Sequence, residues 1–135
     1  MYVPETVLTR IADKTPTTRI AVVGASNDRS KFGNIIVRNL KGHGYSVVPI
    51  NPHETRIADL PVVSDVNALD DPVHIVNVVT PPDVSRRVIE SLDPEHAEVV
   101  WFQEGSFDQD VVEKAADRFD TVIAGPCIMV EARRV

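Results

Sequence analysis

Arg29 and Lys31 stand between two glycines in the run Gly24-Ala-Ser-Asn-Asp-Arg-Ser-Lys-Phe-Gly33, which follows the all-apolar stretch Ile20–Val23. Glycine at position 24 allows a sharp bend and a backbone free of side chain where a ligand can approach. The small or short residues Ala25, Ser26 and Asn27 keep that approach open, and Gly33 opens an apolar-periodic segment that reads as a helix. The first turn of such a helix presents unpaired amide hydrogens and the positive end of its dipole. Phosphate is the group this corner attracts, with Arg29 and Lys31 as mobile charges beside it. The implied chemistry is the holding of a nucleotide-type ligand.

Other reactive side chains do not assemble into a catalytic set. Ser26 sits between a strand and a helix as a nucleophile elbow would, but position 28 is Asp, so the Gly-x-Ser-x-Gly frame is missing. The four histidines, His43, His53, His74 and His96, are far apart and lack metal-ligand spacing. Asp108, Asp110 and Glu113 fall at a predicted helix start, where carboxylates offset the dipole. Cys127 has two readings: a buried inert thiol among Ile128, Met129 and Val130, or a thiol that could exchange with a thiol-bearing ligand. No catalytic residue and no metal site are expected.

Alternating apolar blocks and helical patterns supply the elements that position the corner. Ile20–Val23 reads as a strand buried on both faces, and Phe32, Ile35, Ile36 and Leu40 recur at helical spacing before Gly42 and Gly44. Ser46–Ile50 is a second strand, and Arg56–Val63 a weaker extended piece. Val73–Val79 is the strongest strand, ended by Thr80-Pro-Pro82. Asp83 is then expected to cap a helix whose apolar face is Val84, Val88, Ile89 and Leu92. Val99–Phe102 is a strand, a helix follows from near Asp108, and Thr121–Ala124 is the last strand before a helical tail. An N-terminal helix from Pro4 to about Lys14 is expected to pack outside the sheet.

Strand–helix alternation of this kind implies a parallel sheet with helices on both faces, and ligands then sit beyond the carboxyl ends of the strands. Four loops are placed there: Gly24–Gly33, Asn51–Arg56, Thr80–Asp83 and Gln103–Ser106. The 135 residues suit a single domain, residues 1–135, with 43% hydrophobic and 25% charged residues. A net charge of -6 argues against a nucleic-acid partner. No apolar run reaches membrane-spanning length, one cysteine cannot form an internal disulfide, and Met1-Tyr-Val-Pro-Glu lacks the start of a signal peptide. The expected location is cytoplasmic, with no membrane partner; the oligomeric state stays open.

NAD(P) is the ordinary ligand for such a corner, and two residues count against it. The dinucleotide fingerprint wants glycine where Ser26 stands. The second strand ends in Asn51-Pro52, with His53 and Arg56 nearby, instead of the carboxylate that grips a free ribose. A neutral or basic end tolerates a phosphorylated ribose, which NADP and coenzyme A both carry.

Five blocks then occur in one order: Val-Val-Gly-Ala-Ser ahead of Lys-x-Gly, Gly-Tyr-x-Val-x-Pro-Ile-Asn-Pro at 44–52, Val-Thr-Pro-Pro at 79–82, Val-Trp-Phe-Gln-Glu-Gly at 100–105, and Cys-Ile-Met-Val-Glu at 127–131. In these the chain resembles the small stand-alone CoA-binding proteins, whose fold is similar to the N-terminal CoA-binding domain of the succinyl-CoA synthetase alpha subunit. The resemblance implies an α/β, Rossmann-like three-layer domain with a parallel sheet of about five strands. It also implies that Gly24, Ala25, Ser26 and Asn27 wrap the diphosphate, with Arg29 and Lys31 nearby and Gly33 behind. Asn51 and Pro52, with His53 or Arg56, would border the adenosine. Thr80, Pro81 and Pro82 would flank the chain leading toward pantetheine, and Phe102, Gln103 and Glu104 its far side. Cys127, from its position just past the carboxyl end of the last strand, is expected within reach of the CoA thiol.

The synthetase's second domain and its partner subunit have no room in this chain, so its reaction is not implied. The expectation is a non-catalytic binder of coenzyme A or an acyl-CoA, acting as carrier, sensor or partner in thiol conjugation. The alternatives are an NAD(P)-binding redox enzyme or sensor and an accessory subunit of an acyl-CoA enzyme.

Overall fold

The sheet is built first from the apolar runs. In the computed structural model, which describes residues 3–12 and 18–134, five parallel strands lie side by side. They are β1 (Arg19–Val23), β2 (Ser46–Ile50), β5 (Val73–Val78), β6 (Ala97–Gln103) and β7 (Thr121–Gly125), in the order β2-β1-β5-β6-β7. β1 pairs with β2 through Ile20–Val47 and Val22–Pro49, and with β5 through Ile20–Ile75 and Val22–Asn77. The chain runs from β1 to one side, returns past it and continues to the other, so the order reverses between β1 and β5. That reversal opens a crevice at the carboxyl end of the sheet.

Helices cover both faces, making three layers. On one face α1 (Glu5–Ala12), α2 (Phe32–Gly42) and α5 (Ile128–Arg134) bury Ile11, Ile36, Leu40 and Ile128 against Ile20, Ile75, Trp101 and Ile123. On the other, α3 (Pro82–Ser91) and α4 (Gln109–Arg118) bury Ile89, Val111 and Ala115 against Ala21, Val76, Val100 and Phe102. Burying a large aliphatic side chain contributes roughly 1.5–3 kcal/mol, so these two layers hold the strand ends in place. No helix among the described residues is long and apolar enough to cross a membrane.

The fold agrees with the sequence in strand number, order of elements and layering, and differs at several boundaries. The extended piece at 56–63 is a small hairpin, β3 (Arg56–Ile57) and β4 (Leu60–Pro61), turned by Ala58 and Asp59, both at positive φ. Two such residues match the twist of a tight hairpin. Val63 then bridges to Ile50 in parallel, its amide donating to the Pro49 carbonyl and its carbonyl accepting from the Asn51 amide, along the free edge of β2. Asp83 does not cap α3: Pro81 is the N-cap and Pro82 the first helical residue, where a missing N–H costs nothing. Asp83 lies in the first turn and pairs with Arg86 at 3.0 Å. The N-terminal helix covers Glu5–Ala12; Lys14 lies outside the described residues.

Candidate functional site

Gly24 ends β1 at φ +97°, a conformation that favours glycine. A Cβ there would meet the Thr80 methyl at 3.0 Å and the Thr80 amide nitrogen at 3.2 Å, so the loops after β1 and β5 nearly touch. Gly33 is still more constrained, because a Cβ would lie 2.0 Å from the Gly24 carbonyl oxygen. The start of α2 therefore rests directly on the bend after β1. Its Asn34 and Ile35 amides donate to the Lys31 carbonyl, which leaves Phe32 and Gly33 at the open end of the helix.

Side-chain amides lock the corner into shape. Asn34, almost fully buried, donates to the Ser26 carbonyl at 2.8 Å, and Arg38 holds Asn34 from the next turn. Asn51 at the end of β2 donates to the Ala25 carbonyl at 2.9 Å, and its oxygen accepts from the His53 and Glu54 amides. Asn27 crosses in the opposite direction, donating to Glu54 Oε2 at 2.7 Å and to the Arg56 carbonyl at 3.0 Å. Two loops remote in sequence are thus tied together without a ligand.

Two adjoining cavities result. One, of about 460 Å³, is bounded by Gly24, Ala25, Ser26, Lys31, Phe32 and Gly33 on one side and by Val79, Thr80 and Pro81 on the other. It lies at the amide end of α2, the place for an anion. The second, of about 270 Å³, is walled by Val23 and Ile50 from the sheet, Val66 from a short 3-10 turn, and Val84, Val88 and Leu92 from α3. Ser64, Asp65 and Ser91 supply its polar edge. Gly24, Asn51 and Thr80 line both. An apolar slot with a few polar groups, joined to an anion corner, suits a flat base joined to a phosphate.

Charge at the corner is mixed. Arg29 and Lys31 are exposed and form no ion pair among the described residues. Asp28, between them and Ser26, accepts from the Ser30 hydroxyl at 2.6 Å and the Ser30 amide at 3.0 Å. These bonds, with the Lys31 charge, hold its carboxyl below the usual carboxylate range.

The structure thus brings Gly24, Ala25, Ser26, Lys31, Gly33, Asn51, Pro52, Thr80 and Pro81 to the cavity walls. Asn27, Arg29, His53, Arg56 and Pro82 lie outside the walls on the same loops and on the first turn of α3. The fourth loop stands apart. Phe102 is fully buried in the α3/α4 layer, its ring centroid 6.3 Å from that of Phe107, and lines neither cavity. Gln103 is buried too: its Oε1 accepts from the Asn77 side chain and the Ile128 amide, both at 3.0 Å, and its Nε2 donates to Cys127 Sγ at 3.3 Å. Glu104 is exposed, Cys127 is half-buried, and neither lines either cavity.

Residues 64–66 and the outer face of α3 escaped the sequence reading. Asp65 caps its 3-10 turn by accepting from the Asn67 amide at 2.7 Å, and a Ser-Asp start is a visible cap signal. Its place beside the ligand depends on the Ile50–Val63 bridge, which no local pattern announces. Phe32, 57% exposed at the mouth of the anion corner, reads in sequence as part of an apolar helix face.

The fold and this paired cavity define a Rossmann-like domain for a nucleotide-type ligand. The chain belongs to the CoA binding domain family, which matches residues 18–133. It is 30% identical over 112 residues to an uncharacterized protein of Bacillus subtilis, YneT, covering 83% of each chain. It is 28% identical over 116 residues to acetate–CoA ligase [ADP-forming] I of Archaeoglobus fulgidus, where the match takes 79% of this chain but 17% of the ligase. Among solved structures, a hypothetical protein from Pyrococcus horikoshii superposes with a TM-score of 0.83 at 26% identity, covering 98% of this chain and 92% of the other.

Proposed function

We propose that this protein binds coenzyme A or an acyl-CoA reversibly and without catalysis, as a carrier or sensor. The observation that carries this is the pair of adjoining cavities. The apolar slot takes the adenine, the amide end of α2 with Lys31 and Arg29 takes the diphosphate, and the edge of the anion corner at Pro81 starts the path for pantetheine. β2 ends in Asn51, whose polar atoms are committed to the Ala25 carbonyl and the His53 and Glu54 amides. Asn51 stands at the end of β2 where an NAD site carries the carboxylate that grips a free ribose, which favours CoA over NAD; Asp65, the acidic residue lining the slot, comes from the 3-10 turn.

Thermal unfolding with added ligand tests the reading. At a hundred times its dissociation constant a ligand adds roughly 2.7 kcal/mol, a rise in Tm on the order of 5 °C for a domain of this size. CoA should give that rise and NAD should not. A shift with NAD or NADH and none with CoA would overturn the assignment in favour of a redox role. Conjugation of the CoA thiol to Cys127 is a second reading, favoured by the Gln103 side chain donating to Cys127 Sγ.

A further inference from the structure

A buried chain of hydroxyls fixes what the seam between the two cavities can recognise. Ser85, fully buried on α3, donates its single hydroxyl proton to the Thr80 carbonyl at 3.1 Å. Its Oγ also lies 2.9 Å from Thr80 Oγ1. The Thr80 carbonyl can only accept, so both contacts are satisfied together when Ser85 donates to it and Thr80 donates to Ser85 Oγ. The Thr80 methyl lies on the side of Gly24. Thr80 Oγ1 is left with lone pairs alone to offer and can only accept a hydrogen bond from the cleft.

The covalent order of a nucleotide decides which group meets it. With the base in the apolar slot and the phosphate at α2, the ribose must occupy the seam lined by Gly24, Asn51 and Thr80. Gly24 has no side chain, and the Asn51 oxygen already accepts from the His53 and Glu54 amides, so the Asn51 side chain keeps one N–H to donate and no acceptor to offer. Phosphate oxygens bring no proton, whereas a ribose hydroxyl does. We propose that Thr80 is the ribose-reading residue of this site, its Oγ1 accepting from the free 2′-hydroxyl of a 3′-phosphorylated ribose. A neutral acceptor suits that sugar, since a carboxylate here would repel the neighbouring phosphate. This inference rests on the adenosine placement proposed above.

The test uses adenosine 3′,5′-bisphosphate and its 2′-deoxy counterpart, titrated calorimetrically into the intact protein, with CoA alongside. The unsubstituted protein should prefer the ribose form by about tenfold, the size of one well-placed hydrogen bond. Thr80→Val should bring that ratio to near one, and Thr80→Ser should keep it. Ser85→Ala, which leaves Thr80 in place but frees its proton to point elsewhere, should lower the ratio part of the way and serves if Thr80→Val does not fold. A ratio near one in the unsubstituted protein, or an undiminished ratio in Thr80→Val or Ser85→Ala, overturns the assignment while CoA binding stands. Absence of CoA binding in the unsubstituted protein overturns the parent reading together with this one.

Discussion

Asp28 sets the charge of the anion corner. Its carboxyl is held down first by the Ser30 hydroxyl, then by the Ser30 amide and the Lys31 charge, so at neutral pH it is ionised and offsets one of the two cations. Because its folded pKa is depressed, its support of the turn is present above the ordinary carboxylate range and is lost as pH falls through the lower folded value. Asp28→Asn keeps an oxygen for Ser30 and removes the negative charge. CoA affinity should then rise about two- to fivefold at low salt, a gain that fades as salt is added, because the attraction between exposed charges is weak and screened. An unchanged affinity at low salt would mean that the diphosphate lies beyond the reach of this loop. Cys127 is the other residue with a checkable chemistry. Its thiolate would attack CoA disulfide, joining Cys127 Sγ to one CoA sulfur and releasing the other CoA as thiolate. Mass spectrometry after that incubation should show one added CoA, reversed by reductant and absent in Cys127→Ser. If protein that binds CoA gains no mass, Cys127 is a packing residue.

At the scale of elements, the contact of α2 with the end of β1 decides whether the site forms. A methyl group at Gly33 would lie 2.0 Å from the Gly24 oxygen, so Gly33→Ala must push the helix off the bend that presents the amides. Loss of CoA binding and a drop in Tm of several degrees are expected. Gly42, at the other end of the same helix, has no positive φ, and a methyl group added there would meet nothing within 4 Å. Gly42→Ala should leave binding intact and stabilise by roughly 0.5–1 kcal/mol, read as a small rise in denaturation midpoint. Equal effects of the two changes would remove the steric explanation. α3 shows where sequence periodicity reaches its limit. Val84, Val88, Ile89 and Leu92 share the predicted apolar stripe, yet only Ile89 and Leu92 are buried outright. Val84 and Val88 stay part-exposed because, with Leu92, they wall the slot. On the opposite face of the helix Arg86 ties α3 to α4, meeting Asp108 at 2.7 Å and Asp110 at 2.8 Å.

For the whole molecule, the apolar runs and glycines made the five strands, their parallel sense and the anion corner legible in the chain. Continuous burial leaves an unbroken apolar signature, and a sharp bend before a helix requires glycine. The apolar half of the site was less visible because it is made by segments that meet only in three dimensions: the end of β2, residues 64–66 and the upper face of α3. Phe102 and Gln103 are buried and line neither cavity. They follow a strand as site residues do, but the crevice opens where the strand order reverses, between β1 and β5, and β6 lies one strand farther on. The asparagine ties between the loops after β1 and β2 carry a further consequence. Asn51 grips the backbone oxygen of Ala25, and Asn27 grips that of Arg56 as well as a Glu54 carboxylate. Main-chain acceptors are indifferent to which side chain they carry, so exposed position 56 can change identity without loosening its bond, whereas Ala25 is held small by its burial. Spacing is another matter: one residue added or removed between Asn51 and Arg56 would carry the acceptor out of register. The cleft is therefore tolerant of spelling and intolerant of length.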